Sequence, residues 1–361
     1  MQQPRAPYGR RSEARADGPG SRRDGQAEAL YDGETYYGRP AVKPSHYRYL
    51  IATYFFTGGL AGAAQIIAAV ADLAGRDADR PLVRSGRYVA LAGALLSPAL
   101  LIKDLHTPSR WYNMLRIVRP TSPMSIGSWT LAAFGTLSGL AAFGQALDDL
   151  GAPPWGAKLA RLAGVPAAGV GTLLATYTGT LIAATSTPLW ATAPRHLPAL
   201  FGTSGMVTAT ALLGLILEGA RAPASSRKRL ERLSLLASIV ELALLFGLER
   251  RWRDCGVAAV LDEPRYAVAY RGGAVGLGVM APLALHAWHL ARGERTARAA
   301  TLAHLATLAG GYLQRTLLIL AGNESARRPR LYFNLTQPAP ALDSQGGRRA
   351  AEASSAPGGR P

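Results

Sequence analysis

Eight stretches of the chain stay apolar long enough to cross a bilayer, at 48–73, 84–103, 125–147, 165–188, 197–218, 230–249, 270–290 and 299–321. Each approaches the roughly 20 residues that span hydrocarbon. The pattern predicts an all-α integral membrane helix bundle with eight transmembrane helices. Arg84 and Arg87 open the second run, so their charged ends must snorkel to the interface. Glycine recurs inside several runs, as Gly58, Gly59 and Gly62, Gly169 and Gly171, and Gly272, Gly273, Gly276 and Gly278. Small residues let helix backbones approach closely, which membrane bundles need because lipid gives no hydrophobic drive to associate. Polar segments flank the bundle. Residues 1–35 read as a disordered tail, 36–47 as a strap on the membrane surface, 48–321 as the transmembrane domain and 322–361 as a disordered basic tail.

Charge refines this picture without overturning it. The net charge is +17, which in a soluble chain would point to nucleic acid. Here many of the basic residues lie between apolar runs or in the tails, and no nucleic-acid fold signature is present, so lipid head groups are the expected partners. Both faces carry them, which leaves the membrane orientation undecided. The single cysteine, Cys255, can form neither an intrachain disulfide nor the ligand set of an iron–sulfur cluster. Arg10-Arg11 is followed by no apolar run and is not a twin-arginine leader. The segment from Pro153 to Arg161 reads as a short interfacial piece before the fourth helix, and Arg221 to Arg232 as a basic connection.

The connection from Lys103 to Trp129, KDLHTPSRWYNMLRIVRPTSPMSIGSW, is unusually dense in polar, basic and aromatic residues. It resembles the signature of the NrfD/PsrC family, the integral membrane subunits of polysulfide-reductase-like molybdoenzyme complexes. Asp104-Leu105, Arg110 to Arg116 and Pro120 to Trp129 carry the likeness. His106 and Thr107 stand where the family pattern has Gly and Arg. Tyr36 to Pro40, Tyr54 to Gly62, Tyr177-Thr178-Gly179 and Pro188-Leu189-Trp190 extend it. The resemblance implies two four-helix bundles, a ferredoxin-like iron–sulfur partner, and a molybdopterin catalytic subunit beyond it. It further implies a quinone, with menaquinone favoured, in the cytoplasmic (inner) membrane of a prokaryote. The complex could be a formate dehydrogenase or a sulfur-compound reductase.

A quinone needs aromatic or aliphatic walls, one or two hydrogen-bonding groups and a proton route. His46, Tyr54, Tyr112, Asn113, Arg116, Ser122, Ser125, Trp129 and Tyr177 are the candidate quinone-binding residues, and helix parity puts the Tyr36–Tyr49 entry, the Lys103–Ser125 connection and the Pro188–Leu197 connection on one face. Ordinary interfacial anchoring by Trp, Tyr and Arg fits the same positions. Glu241, inside the sixth run, and Asp104 are the candidate proton-path residues. A mid-membrane carboxylate normally faces the bundle interior, with a partner or protonated; Arg315 is a candidate partner. His286, His289 and His304 gather near one edge, yet no haem or iron–sulfur cluster is expected in this chain. Two other readings stay open. One is a proton- or ion-translocating module without its own quinone site. The other is a purely structural membrane anchor.

Overall fold

The computed structural model describes residues 42–151, 155–292 and 296–336. The expected 1–35 tail, the first half of the surface strap and the far C-terminal tail lie outside the described residues. Among those described there is no strand. Eight long helical runs follow one another: α1 Tyr49–Ala74, α2 Arg80–Asp104, α3 Pro123–Asp149, α4 Trp155–Ala183, α5 His196–Gly219 and α6 Ala224–Asp254 are the first six. The seventh, α7, joins Pro264–Ala267, a π-helix at Val268–Met280 and Ala281–Arg292. Then α8 covers Ala297–Ala326, and a short α9, Pro329–Thr336, closes the described chain.

Six of these runs, α1 to α5 and α7, are long and apolar enough to cross a membrane. The expected eight are therefore met in part. The two that fall short carry polar residues in their middles: Glu231, Arg232 and Glu241 in α6, Gln314 and Arg315 in α8. Of these, Glu241, Gln314 and Arg315 come together inside the protein, as described below.

Packing divides the helices into two groups. Helices α1 to α4 pack among themselves, as do α5 to α8, and α1 and α4 meet α5 across the join. The first group closes where glycines abut. A Cβ on Gly62 of α1 would stand 2.3 Å from the carbonyl oxygen of Gly171 in α4, so neither backbone tolerates a side chain there. The second group closes where the π-helix meets α8, and a Cβ on Gly310 would stand 2.2 Å from the Cα of Gly278. A π-helix is a wide, uncommon coil that occurs mostly as single turns near functional sites; the run of glycines in this one leaves its flank bare against α8.

Three boundaries depart from the apolar pattern. Helix α4 begins at Trp155 and continues through Pro166, absorbing the expected interfacial piece. Arg161 is held in that helix by Asp72 of α1, at 2.9 Å; an ion pair, invisible in a hydropathy pattern, lets a charged turn belong to the bundle. The same helix ends at Ala183, and Pro188–Ala191 forms a separate turn. The C-terminal tail expected from 322 is helical through Ala326 and again in α9.

Both ends of the bundle's chain path lie together. Asn323 in the last turn of α8 accepts from the backbone N–H of Ser45 at 2.9 Å and donates to the carbonyl of Tyr47 at 2.9 Å. This face also holds the α2–α3, α4–α5 and α6–α7 connections. The multi-pass architecture has a direct consequence. The protein is expected to stay with membranes through a carbonate wash and to require detergent for release; recovery of folded chain in the carbonate supernatant would refute it.

Candidate functional site

The candidate site lies on the face that holds both chain ends. His46 precedes α1, Asp104 ends α2, and His106 follows it. The His46 Nε2 and Asp104 Oδ2 atoms are 4.0 Å apart, too long for a hydrogen bond but close enough for attraction once the ring is protonated. The rings of His46 and His106 lie 6.4 Å apart. His46 is largely exposed while Asp104 is mostly covered. The carboxylate thus sits at the base of a small imidazole-lined rim.

Behind the rim stands an aromatic wall. Tyr47 stacks on Trp190 with centroids 6.5 Å apart and meets Phe55 edge-on at 6.4 Å. Burial, with the Asp104 carboxylate adding to it, pushes the Tyr47 hydroxyl above its ordinary range, so it remains a donor. Tyr54, 3% exposed, lies within electrostatic reach of Tyr177, and Tyr177 within reach of Tyr47. Trp190 is fixed by its indole N–H, which donates to the Leu318 carbonyl at 2.8 Å. Trp252 donates to the Leu189 carbonyl at 2.7 Å. The Pro188–Ala191 turn is therefore pinned by α8 and α6, which is why a short polar connection holds a buried tryptophan.

The α2–α3 connection has a different character. Its 3₁₀ turn, Pro108–Leu115, has no buried residue, and Trp111 and Tyr112 point outward. Asn113 and Arg116 are also exposed, and the Arg116 guanidinium donates to the Asn113 side-chain oxygen at 3.5 Å. Ser122 caps α3 by accepting from the Ser125 N–H at 3.5 Å, and the Ser125 hydroxyl accepts from the Arg119 N–H at 3.0 Å. Trp129 is on the outer side of α3, 38% exposed. Of the nine quinone candidates the structure sets His46 beside Asp104 and brings Tyr54 and Tyr177 within electrostatic reach of Tyr47. It leaves Tyr112, Asn113, Arg116 and Trp129 at the surface and uses Ser122 and Ser125 to fold the loop. The loop still touches the wall at one place: the Tyr177 hydroxyl donates to the Pro123 carbonyl, and the Tyr177 ring fills the space beside Gly127.

The aromatic wall leads inward to a buried polar cluster. Phe55 meets Phe201 of α5 at 5.8 Å, and the Arg315 guanidinium lies 4.3 Å from the Phe201 ring centre. Arg315 donates to the Phe201 carbonyl at 3.0 Å and to the Gln314 side chain. The Gln314 amide donates to Glu241 at 3.2 Å, and its oxygen accepts from Ser204 at 2.9 Å. Glu241 and Arg315 make no direct pair; Gln314 stands between them, and all four side chains are buried.

From Glu241 polar residues continue toward the opposite face along the seam of α5, α6 and α8. Glu231, Ser234, Ser238 and Glu241 share one side of α6 by their three- and four-residue steps, and all are buried. His304, Thr307 and Gln314 do the same in α8. Ser204, Thr208, Glu241, Thr307 and Gln314 line one narrow crevice, and Thr210, Glu218, Glu231, Ser234 and His304 line the next. His286 stacks near His304 at 5.5 Å between centroids. Gln314 and Ser204 were not singled out from the sequence, and His106 was noted there only as a departure from the family pattern. The polar spacing in α6 and α8 is the signal that would have found the first.

Two comparisons bear on this arrangement. The family model described as polysulphide reductase, NrfD, matches residues 41–325, which include the rim, the wall and the buried polar seam. No curated protein matches the chain.

Proposed function

The chain belongs to the polysulphide reductase NrfD family, and from that premise we propose that it is the quinone-interacting membrane anchor of an oxidoreductase complex. The observation that carries this reading is the convergence of His46, Asp104, Tyr47, Tyr54 and Tyr177 at one end of the bundle. An apolar ring with two oxygens calls for such aromatic surfaces beside a group that exchanges protons. All eight long runs cross the bilayer in this reading. Seven connections then bring both chain ends to one face, in keeping with the Ser45–Asn323 contact, and the polar residues of α6 and α8 face each other rather than lipid. Members of the family assemble with oxidoreductase subunits. An iron–sulfur subunit would dock on the exposed α2–α3 loop, with a molybdopterin subunit beyond it, as in a polysulfide reductase or a formate dehydrogenase. Menaquinone in a prokaryotic inner membrane is the expected electron carrier.

The polar seam supports a second function within the same complex. Its hydroxyls, carboxyls and imidazoles extend from the opposite face to Glu241 in steps suited to proton relay, with Asp104 as the separate acid at the quinone rim. A photoreactive quinone, followed by peptide mapping, tests the first reading. Labels should fall on the peptides holding His46 to Tyr54 and Asp104 to His106. Labelling confined to Arg221–Arg232 or His286–His304 would overturn it. Tyr112→Phe separates the loop from the rim: an exposed hydroxyl on a docking surface should leave quinone turnover nearly unchanged, and a large loss would move the pocket into the loop.

A further inference from the structure

At the end of the bundle opposite the His46–Asp104 rim, a crevice of about 270 Å³ separates α1 from α6. Its α1 wall is Ile66, Ile67, Val70, Ala71, Ala74 and Gly75. At a rise of about 1.5 Å per residue these nine steps extend roughly 14 Å along the helix, so the crevice runs across the bilayer, parallel to a lipid chain. Met206, Leu82 and Leu233 complete an apolar lining. Val70 is 59% exposed, so the crevice opens sideways toward lipid. Nothing polar lines its deep end. The polar groups, Asp79 and Arg229, stand at its mouth and pair with each other.

Around that mouth basic residues outnumber the acidic Asp77, Asp79, Glu218 and Glu231. Arg227, Lys228, Arg229 and Arg232 occupy the first turns of α6, and Arg76 lies in the α1–α2 connection. Glu218 holds Arg227, and Asp79 holds Arg229. Lys228 and Arg232 are exposed and pair with no carboxylate among the described residues. An apolar slot along the membrane normal fits any chain, whether acyl or isoprenoid. Lys228 and Arg232, one residue before and three after the lining Arg229, favour a chain that carries a phosphate.

We propose that this crevice holds an acyl chain of an anionic phospholipid, with the phosphate at Lys228, Arg232 and the outer side of Arg229. The proposal needs only that the chain is embedded in a membrane and is independent of the quinone reading. Native mass spectrometry of the detergent-solubilised full chain tests it, with phosphatidylglycerol and phosphatidylcholine of identical acyl chains as probes. Phosphatidylglycerol should be retained more tightly, by about fivefold for each unpaired cation. The surface variant Lys228→Gln/Arg232→Gln should bring it down to the phosphatidylcholine level. Val70→Trp, which fills the crevice and leaves the cations in place, should weaken both lipids. Glycerol phosphate, which has no acyl chain, should fail to compete. Equal retention of the two lipids would refute the proposal, as would a preference that survives the Lys228/Arg232 variant. Displacement by an isoprenoid quinone in preference to phosphatidylglycerol would assign the crevice to a quinone tail instead. Should Val70→Trp fail to fold, the exposed cation pair still decides.

Discussion

Glu241→Gln is expected to destabilise the folded bundle by about 1–3 kcal/mol, although the substitution keeps volume and most of the hydrogen-bonding capacity. From the sequence alone this variant reads as gentle, because a glutamine replaces a glutamate atom for atom. The structure changes that expectation. Arg315 is fully buried and fixed by Phe201 and Gln314, and Glu241 is the carboxylate that faces its charge through Gln314. A carboxyl group deprived of its partner can shed its charge by taking a proton. A guanidinium cannot, at any pH a protein survives. Removing the anion therefore leaves a permanent cation in the interior, whereas removing the cation leaves a group that can neutralise itself.

The same asymmetry gives the control. Arg315→Gln alone should cost less than Glu241→Gln alone, and Glu241→Gln/Arg315→Gln should be more stable than Glu241→Gln. The fraction of monodisperse protein surviving graded heating in detergent measures all four members of the cycle. Strict additivity would mean that the two charges do not sense each other, and the cluster would then be packing rather than an electrostatic pair. Loss of proton movement in the double variant, with assembly retained, would extend the result to the relay.

How much of this was legible in the sequence differs by element. Six of the expected spans were, because about twenty apolar residues between polar connections leave a chain few alternatives, while α6 and α8 carry polar residues in their middles. The close approaches at Gly62 and Gly171 were too, since small residues at helix interfaces have one physical use in lipid. Helix α4 was misread at both ends because hydropathy registers Lys158 and Arg161 as a break, whereas the Asp72–Arg161 pair makes them part of the bundle. The π-helix in α7 left no periodicity to read. The site divides the same way. His46 and Asp104 could be placed on one face by counting crossings, but not within 4.0 Å of each other. Tyr112 and Arg116 looked like pocket residues because the loop that carries them holds the most specific motif. A motif marks where a chain is constrained, and an exposed docking surface constrains it as firmly as a pocket. Glu241 stood out alone, while its bridge, Gln314, looked like one polar residue among many until α5, α6 and α8 were brought together.

His46→Ala should lower turnover of a quinone analogue by the assembled, membrane-bound complex by about 100-fold, the lower end of what general acid–base groups contribute. The ring stands at the open rim with Asp104 below it and Tyr47 beside it, at 4.9 Å between ring centres. An electron pair delivered to a quinone must be matched by two protons, and imidazole is the side chain that gains and loses one near neutral pH. Asp104 has a different task. Its carboxylate stands 4.0 Å from the imidazole Nε2, beyond hydrogen-bond reach, a looseness that substrate binding commonly tightens. Asp104→Asn should therefore reduce turnover less than His46→Ala. His46→Gln, which can donate a hydrogen bond but cannot pass on a proton, should keep much of the binding and little of the turnover. That split between KM and kcat is the decisive reading. If His46→Gln turns over like the unaltered complex while Tyr54→Phe does not, the proton comes from the tyrosine wall and the histidine rim is only the entrance.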